Sequence, residues 1–447
     1  MSRFASGWLL PLLTIFTITT LQAEGIKDVA PDAASAPVML ETAGDFAAYD
    51  GDPNARLIVE MTGPQETLFL GLSAEFSRQG EPFTNLNFSR YNFRIVRVNN
   101  NGTTTVVHGP FTVGNDNANL DGFANAEYPL YPTTDPMFVF QPTTGGTYAI
   151  EFEEFSNDRD TKVNVAYWDF AVVNNGAEQR GRVYSKSWGF RTPQVTGATD
   201  ECEFDREFNG SFFSYTSEGF VSEVDFADSG FQGLSFSVAF NSRGPSNTGS
   251  LALDRRSVDG ADSTLSAAEH LIFLTEPDEI LFPSDINNCG VIAQVGESFR
   301  CDQLDLGIPY CLNVEVTKPG QIDILLDFNE NGILDTGALS QDRVLVADFS
   351  DPNMLSQCIP WNGLRGDGTR ADYTDTVGVV ITYTQGVQHY SAYDVEFLKN
   401  GFTVQTVRPN CGSVGVPVEL YWDDRNIALD PGIAGVPRDN RAGSLRE

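Results

Sequence analysis

The chain has 447 residues, with 61 acidic and 28 basic side chains and a formal net charge of -33. That balance excludes ordinary nucleic-acid binding, which needs Lys and Arg to displace counterions from phosphates, and it argues against an anionic membrane surface as partner. Hydrophobic residues make up 41% and charged residues only 20%, so the chain can fill real cores rather than stay disordered. With 41 Gly, 23 Pro and 32 Phe, turn-rich β structure is favoured over helix bundles. The expected fold is all-β, with tandem β-sandwich domains (Ig-like or jelly-roll-like) after a signal peptide.

Residues 1–23 read as a secretory signal peptide. Arg3 supplies the positive start, residues 8–21 are apolar or hydroxylic, and Ala23 places a small residue before the cut, so Glu24 begins the mature chain. The alternative, a membrane anchor, needs a longer apolar stretch. No later segment is apolar enough to span a bilayer. Residues 24–37, rich in Ala, Pro and Asp, read as a linker.

A first β-sandwich is expected over 38–195. Leu57–Met61 and residues 67–72 are strand-like runs separated by Thr62-Gly63-Pro64. Residues 93–98 and 104–108 flank Asn99-Asn100-Asn101-Gly102, a hairpin signal. Residues 137–140 lead through a Gly-Gly turn into 147–152. Residues 163–170 read as one alternating strand with Val163, Val165, Tyr167 and Asp169 on one face. A turn-rich boundary at 192–200 precedes a second β-rich domain over 202–283, with an exposed loop at 241–266 that carries Arg255-Arg256. A third unit, an Ig-like sandwich, is expected over 285–424. Its predicted strands are 312–316, 321–327, Arg343–Phe349, 377–384, 393–398 and 402–407. Residues 425–447 read as a flexible tail or linker.

The six cysteines, Cys202, Cys289, Cys301, Cys311, Cys358 and Cys411, all follow residue 200. Their even number and the export signal predict disulfides, with 15 pairings open.

The sharpest local signal is Asp327-Phe328-Asn329-Glu330-Asn331-Gly332-Ile333-Leu334-Asp335. A hard cation takes six to eight oxygens. Here Asp327, Asn329, Asn331 and Asp335 supply side-chain oxygens, Ile333 its main-chain carbonyl, and Gly332 the sharp turn. Ca2+ in a structural role is the expected cofactor. The loop departs from an EF-hand: Ala338 stands where a bidentate Glu belongs, so water or a remote acid, Asp342 or Asp323, must complete the set. The alternative is an Asn-Gly turn with solvated acids.

Other constellations are weaker. Trp361, within Ile359-Pro360-Trp361-Asn362-Gly363, is either a sugar-stacking platform or a core residue among turns. Glu151, Glu153 and Glu154 suggest a carboxylate pair, against the simpler reading of a solvated strand edge. No nucleophile-elbow, zincin or P-loop motif is present, so no catalytic residues are assigned.

The runs Gln385-Gly386-Val387-Gln388-His389-Tyr390, Tyr393-Asp394-Val395-Glu396-Phe397, Leu420-Tyr421-Trp422-Asp423-Asp424, Cys202-Glu203-Phe204-Asp205 and Ala36-Pro37-Val38 resemble large exported surface proteins of gliding and marine Bacteroidota. The resemblance implies a multi-domain, adhesin-like protein at the outer surface of a Gram-negative bacterium. Such proteins continue into adhesive repeats and a C-terminal sorting domain, so this chain is expected to be a fragment of a longer one. The loop at 327–335, followed by Trp361-Asn362-Gly363 and Gly366-Asp367-Gly368, resembles the Ig-like module of flagellar hook-capping proteins. That likeness implies a structural role. The expected function is therefore a secreted or cell-surface structural or adhesive protein, with surface glycans or other surface proteins as partners. The alternative is an accessory carbohydrate-binding region of an exported carbohydrate-active enzyme.

Overall fold

The computed structural model of the chain describes residues 24–30, 38–42, 46–76, 88–155, 162–192, 208–227, 229, 231, 233, 235–242, 268–298, 310–335, 340–349, 351–372, 374–386, 388–393, 400–412, 421–422 and 444–445. The signal peptide, the 241–266 loop apart from residues 241–242, Cys202, Cys301 and Ala338 lie outside these residues.

The fold is all-β, built from antiparallel strand pairs. A nine-stranded sheet runs in the order Thr403–Arg408, Val221–Asp225, Ser211–Tyr215, Leu271–Phe273, Val183–Ser185, Leu57–Met61, Gly146–Glu154, Tyr91–Val98, Thr104–Val113. A seven-stranded sheet runs His389–Tyr393, Phe236–Asn241, Ser187–Arg191, Met39–Thr42, Val163–Val165, Glu75–Phe76, Phe88–Ser89. A smaller sheet joins Glu24–Gly25, Trp168–Asn174, Glu66–Leu72 and Val139–Phe140, with Ala177–Glu178 paired to Trp168–Asn174.

Alternation explains these strands. In Tyr91–Val98, Tyr91, Phe93 and Ile95 are buried while Asn92 and Arg94 are half-buried. The hairpin forms as its residues predict: Asn99 N–H donates to Thr103 O at 2.8 Å, and Gly102 takes φ +81°, a left-handed conformation that costs glycine little. One aromatic core joins the sheets. Trp168, Trp188, Phe190, Phe208 and Phe212 are wholly buried, with Trp188 stacked on Phe190 and Phe208 on Phe212.

Five expectations change. Residues 24–30 of the expected linker belong to the packed structure: Glu24–Gly25 pairs with Trp168–Asn174, and Ile26 and Val29 are buried in the main core. The break expected at 192–200 does not divide the sheets, because Val183–Ser185 pairs with both Leu57–Met61 and Leu271–Phe273. Residues 163–170 are not one strand: Val163–Val165 belongs to the seven-stranded sheet and Trp168–Asn174 to the smaller one. The chain changes sheet at Ala166 and Tyr167, which interrupts the face that alternation defined. The strands expected at 393–398 and 402–407 do not close the third unit: residues 394–398 lie outside the described residues, and the observed strands there are His389–Tyr393 and Thr403–Arg408. They return to the body, pairing with Phe236–Asn241 and Val221–Asp225. Finally, Ser444–Leu445 in the expected tail pairs with Tyr421–Trp422.

The third unit is therefore an insertion between Leu271–Phe273 and His389–Tyr393. Ile292–Ser298, Tyr310–Val316 and Ser356–Trp361 form one sheet; Arg343–Phe349, Gly320–Asp327 and Gly378–Thr384 form the other. Leu312, Val314 and Val316 of one sheet share a core with Ile322, Ile324 and Leu326 of the other, closed by Phe349, Ile359 and Trp361. Cys311–Cys358 bridges neighbouring strands inside this module, and Cys289–Cys411 ties its start to the segment after Thr403–Arg408.

Candidate metal centre

The loop at 327–335 begins where the central strand Gly320–Asp327 ends. Alternation carries Ile322, Ile324 and Leu326 into the module core, and Asp327, the last strand residue, is 1% exposed. Its Oδ1 accepts from Asn329 N–H at 3.1 Å and its Oδ2 from Gly332 N–H at 2.6 Å. Burial pushes the Asp327 carboxyl up, but hydrogen bonds from the N–H groups of Gly332, Asn329, Glu330 and Asn331 outweigh it and hold the group below the usual carboxylate range. Asp327 is therefore an anion at neutral pH.

The alternate side chains repeat one device. Asn329 Oδ1 accepts from Asn331 N–H at 3.1 Å, and Asn331 Oδ1 from Ile333 N–H at 2.8 Å. Glu330 (φ 58°) and Gly332 (φ 80°) supply the left-handed turns. The side-chain amides of Asn329 and Asn331 both donate to Asp335 Oδ2. Four of the five predicted ligands thus join one network. Ile333 takes part through its main chain, its side chain being 68% exposed.

Of the two remote acids, the fold brings in Asp342. Its carboxylate, 7% exposed, accepts from Phe328 N–H at 2.9 Å and Asp335 N–H at 3.0 Å. Asp323 instead accepts from Gln321 Nε2 at 2.8 and 2.9 Å. The donor set suits a hard cation: each Asn carbonyl that accepts one N–H keeps a second lone pair, and Asp327, Asp335 and Asp342 add carboxylate oxygens. In this conformation, however, the Asn329 and Asn331 amide nitrogens face Asp335. A cation at that point requires both amides to turn their oxygens inward. Among the described residues no group of three or more His, Cys, Asp and Glu is disposed to hold a metal ion, so a cation here must also use the Asn and main-chain oxygens.

The Gly366-Asp367-Gly368 turn buttresses this network. Gly366 N–H donates to Gln341 O at 2.8 Å, and a Cβ at Gly366 would lie 2.0 Å from Asp342 O. Only glycine fits there without moving Asp342. Gly366→Ala is expected to lower stability by about 1–3 kcal/mol, read as a reduced thermal midpoint; an unchanged melt would show that the loop yields freely. Asp367 instead closes its own turn, accepting from Thr369 N–H at 2.8 Å and Thr369 Oγ1 at 2.6 Å.

The other candidates resolve on burial. Trp361 is 8% exposed, stacks on Tyr310 and donates Nε1–H to Leu364 O at 2.8 Å. Trp168 and Trp188, which with Trp361 and Trp422 are the tryptophans that the carbohydrate-binding alternative would need exposed, are wholly buried. None of these three can stack on a glycan, and the side chain of Trp422 lies outside the description. Glu151 is not on a solvated edge. It lies on Gly146–Glu154, between two neighbouring strands, is 1% exposed, and meets Arg94 Nη2 at 2.7 Å. The pair is structural, with the Arg94 guanidinium packed over the Tyr49 ring.

No protein-family model, curated protein or solved structure matches the chain.

Proposed function

We propose that the chain is an exported structural or adhesive protein of the cell surface, whose inserted module is stiffened by Ca2+ at Asp327, Asn329, Asn331, Ile333 and Asp335. The observation that carries this reading is the junction of a buried, charged Asp327 with the Asn329, Asn331 and Asp335 side chains at the end of the module's central strand. Two disulfides, Cys289–Cys411 and Cys311–Cys358, fit an oxidising compartment. No helix among the described residues is long and apolar enough to cross a membrane.

The role of the ion follows from charge and entropy. Asp327, Asp335 and Asp342 repel one another, and the loop costs conformational entropy to hold. A bound cation offsets the repulsion and removes loop freedom, so the module keeps its shape under load from a surface partner. Ca2+ at 100 times its Kd is expected to add about 2.7 kcal/mol of stability. Thermal melting in millimolar Ca2+ and in EDTA checks this. The wild-type midpoint is expected to rise with Ca2+ and Asp327→Ala to abolish the rise. A wild-type midpoint indifferent to both would remove calcium from the reading.

A further inference from the structure

Glu24, the first residue after the expected cleavage point, is not a loose end. Glu24–Gly25 pairs with Trp168–Asn174, Glu24 opposite Phe170 and Gly25 opposite Asp169. Ile26 and Val29, which follow, are wholly buried in the main core. The Glu24 side chain is 1% exposed, and its Oε1 accepts from Arg182 N–H at 2.8 Å and Thr275 Oγ1 at 3.2 Å.

Among the described residues, the surroundings are short of positive charge. Gly25 N–H donates to Asp28 Oδ2 at 2.9 Å, and a Cβ on Gly25 would lie 2.4 Å from Asp169 Oδ1. Two carboxylates therefore press against the main chain at the start of this strand. Asp169 is 1% exposed and the Asp28 side chain 6%. Glu178 and Glu127 join them electrostatically. Tyr131 lies beside Asp169, which also accepts from Tyr128 N–H at 3.1 Å. Against these five carboxylates stand Lys27, 2.7 Å from Glu127, and Arg180, 3.2 Å from Asp28. Arg182 is turned to Asp278 and Glu66. The buried Oε2 of Glu178 has no hydrogen-bond partner among the described residues. Buried carboxylates without matching cations are costly. Burial first, and then the Asp28 charge, push the Glu24 carboxyl up to about 8; burial raises Asp28 and Glu178 to about 7.

We propose that the missing cation is the α-ammonium of Glu24 itself, exposed when residues 1–23 are removed and then docked against Asp28 and Asp169. Hydrolysis of the Ala23–Glu24 amide consumes one water: Ala23 leaves with the carboxylate, and Glu24 keeps the nitrogen, which takes up a proton. Covalent geometry holds successive main-chain nitrogens within about 3.6 Å, so the Glu24 nitrogen lies no more than about 6.5 Å from Asp28 Oδ2. Opposite charges within about 4–6 Å favour each other's ionised forms, and this upper bound leaves the nitrogen able to reach that range. Before cleavage the same nitrogen is a neutral amide. Processing thus supplies the charge that seats the first strand, and final folding is coupled to maturation. The inference rests on the exported reading above.

The test compares the chain beginning at Glu24 with a free amine against the same chain acetylated at that amine, which removes the charge. The free form is expected to melt at least about 2 °C higher, and Asp169→Asn to close the gap. Asp28→Asn serves as second variant should Asp169→Asn fail to fold. Equal midpoints for the free and acetylated chains, or a gap that survives in the variants that fold, would overturn the proposal. Mass spectrometry of the exported protein separates the two readings. Retained residues 1–23 would sink export and the latch together, since no α-ammonium then forms at Glu24; a mature start other than Glu24 would sink the latch alone.

Discussion

Trp188→Ala is expected to destabilise the body by about 4–5 kcal/mol, at the upper end for a large core truncation. Trp188 is wholly buried on Ser187–Arg191 of the seven-stranded sheet and packs against Phe46, Trp168 and Phe190. Its indole N–H donates to Ile272 O at 2.9 Å, on Leu271–Phe273 of the nine-stranded sheet. One side chain therefore joins both sheets by packing and by a directed bond. Alanine removes the ring and leaves a cavity whose aromatic walls cannot collapse without moving both sheets. Trp188→Phe keeps most of the apolar volume and loses only the cross-sheet bond, so it should cost about 1–2 kcal/mol. Urea unfolding of the three proteins reads these differences at constant slope. A loss below about 1 kcal/mol for Trp188→Ala would mean that the cavity refills, and that the sheets do not depend on this contact.

The same residue shows how far the sequence carried. Alternation made some strands legible, though Ser211–Tyr215 and Val221–Asp225, which also turn one face to the core, were not among those predicted. Arg343–Phe349 matches its predicted bounds, and the Asn99 to Gly102 turn forms as its residues require. Strands buried on both faces were legible where turn residues bound them, as at Leu57–Met61, but not where one runs straight into another. Trp168, Asp169 and Phe170 are all buried, so alternation holds no information there, and Val163–Val165 was run together with the strand that follows. Sheet partners were beyond reach for another reason: the bond from Trp188 to Ile272 spans 84 residues, and nothing local announces it. The candidate metal loop was legible because its ligands fall within nine consecutive residues. Which acid stands behind them was not, since only the fold separates Asp342 from Asp323. The carboxylates around Glu24 were invisible for the same reason. Asp28 and Asp169 are 141 positions apart and meet only through the pairing of Glu24–Gly25 with Trp168–Asn174.

Replacing Cys289 and Cys411 together with serine is expected to lower stability by about 3–5 kcal/mol, the range for a bridge that closes a loop of more than 100 residues in the chain-entropy description. The bridge spans 122 positions and encloses the inserted module together with His389–Tyr393 and Thr403–Arg408. The native contacts around it do not depend on the sulfur. Arg408, 8% exposed, donates Nη1–H to Phe282 O at 2.7 Å and Nη2–H to Pro277 O at 2.6 Å, and its Nε lies 3.3 Å from Glu276 Oε1. That clasp holds the end of Thr403–Arg408 against the segment leading into the module, so the serine variant should still fold. What changes is the coupling. The module has its own two-sheet core and its own bridge, Cys311–Cys358. Once the longer covalent tie is gone, body and module are expected to unfold in two steps where the wild type shows one. Chemical denaturation followed by tryptophan fluorescence separates them, with Trp168 and Trp188 reporting the body and Trp361 the module. Serine substitution is preferred to a reductant, which would open Cys311–Cys358 as well. A single transition at the wild-type midpoint would show that the clasp alone binds the two parts, and that the bridge adds nothing to their cooperativity.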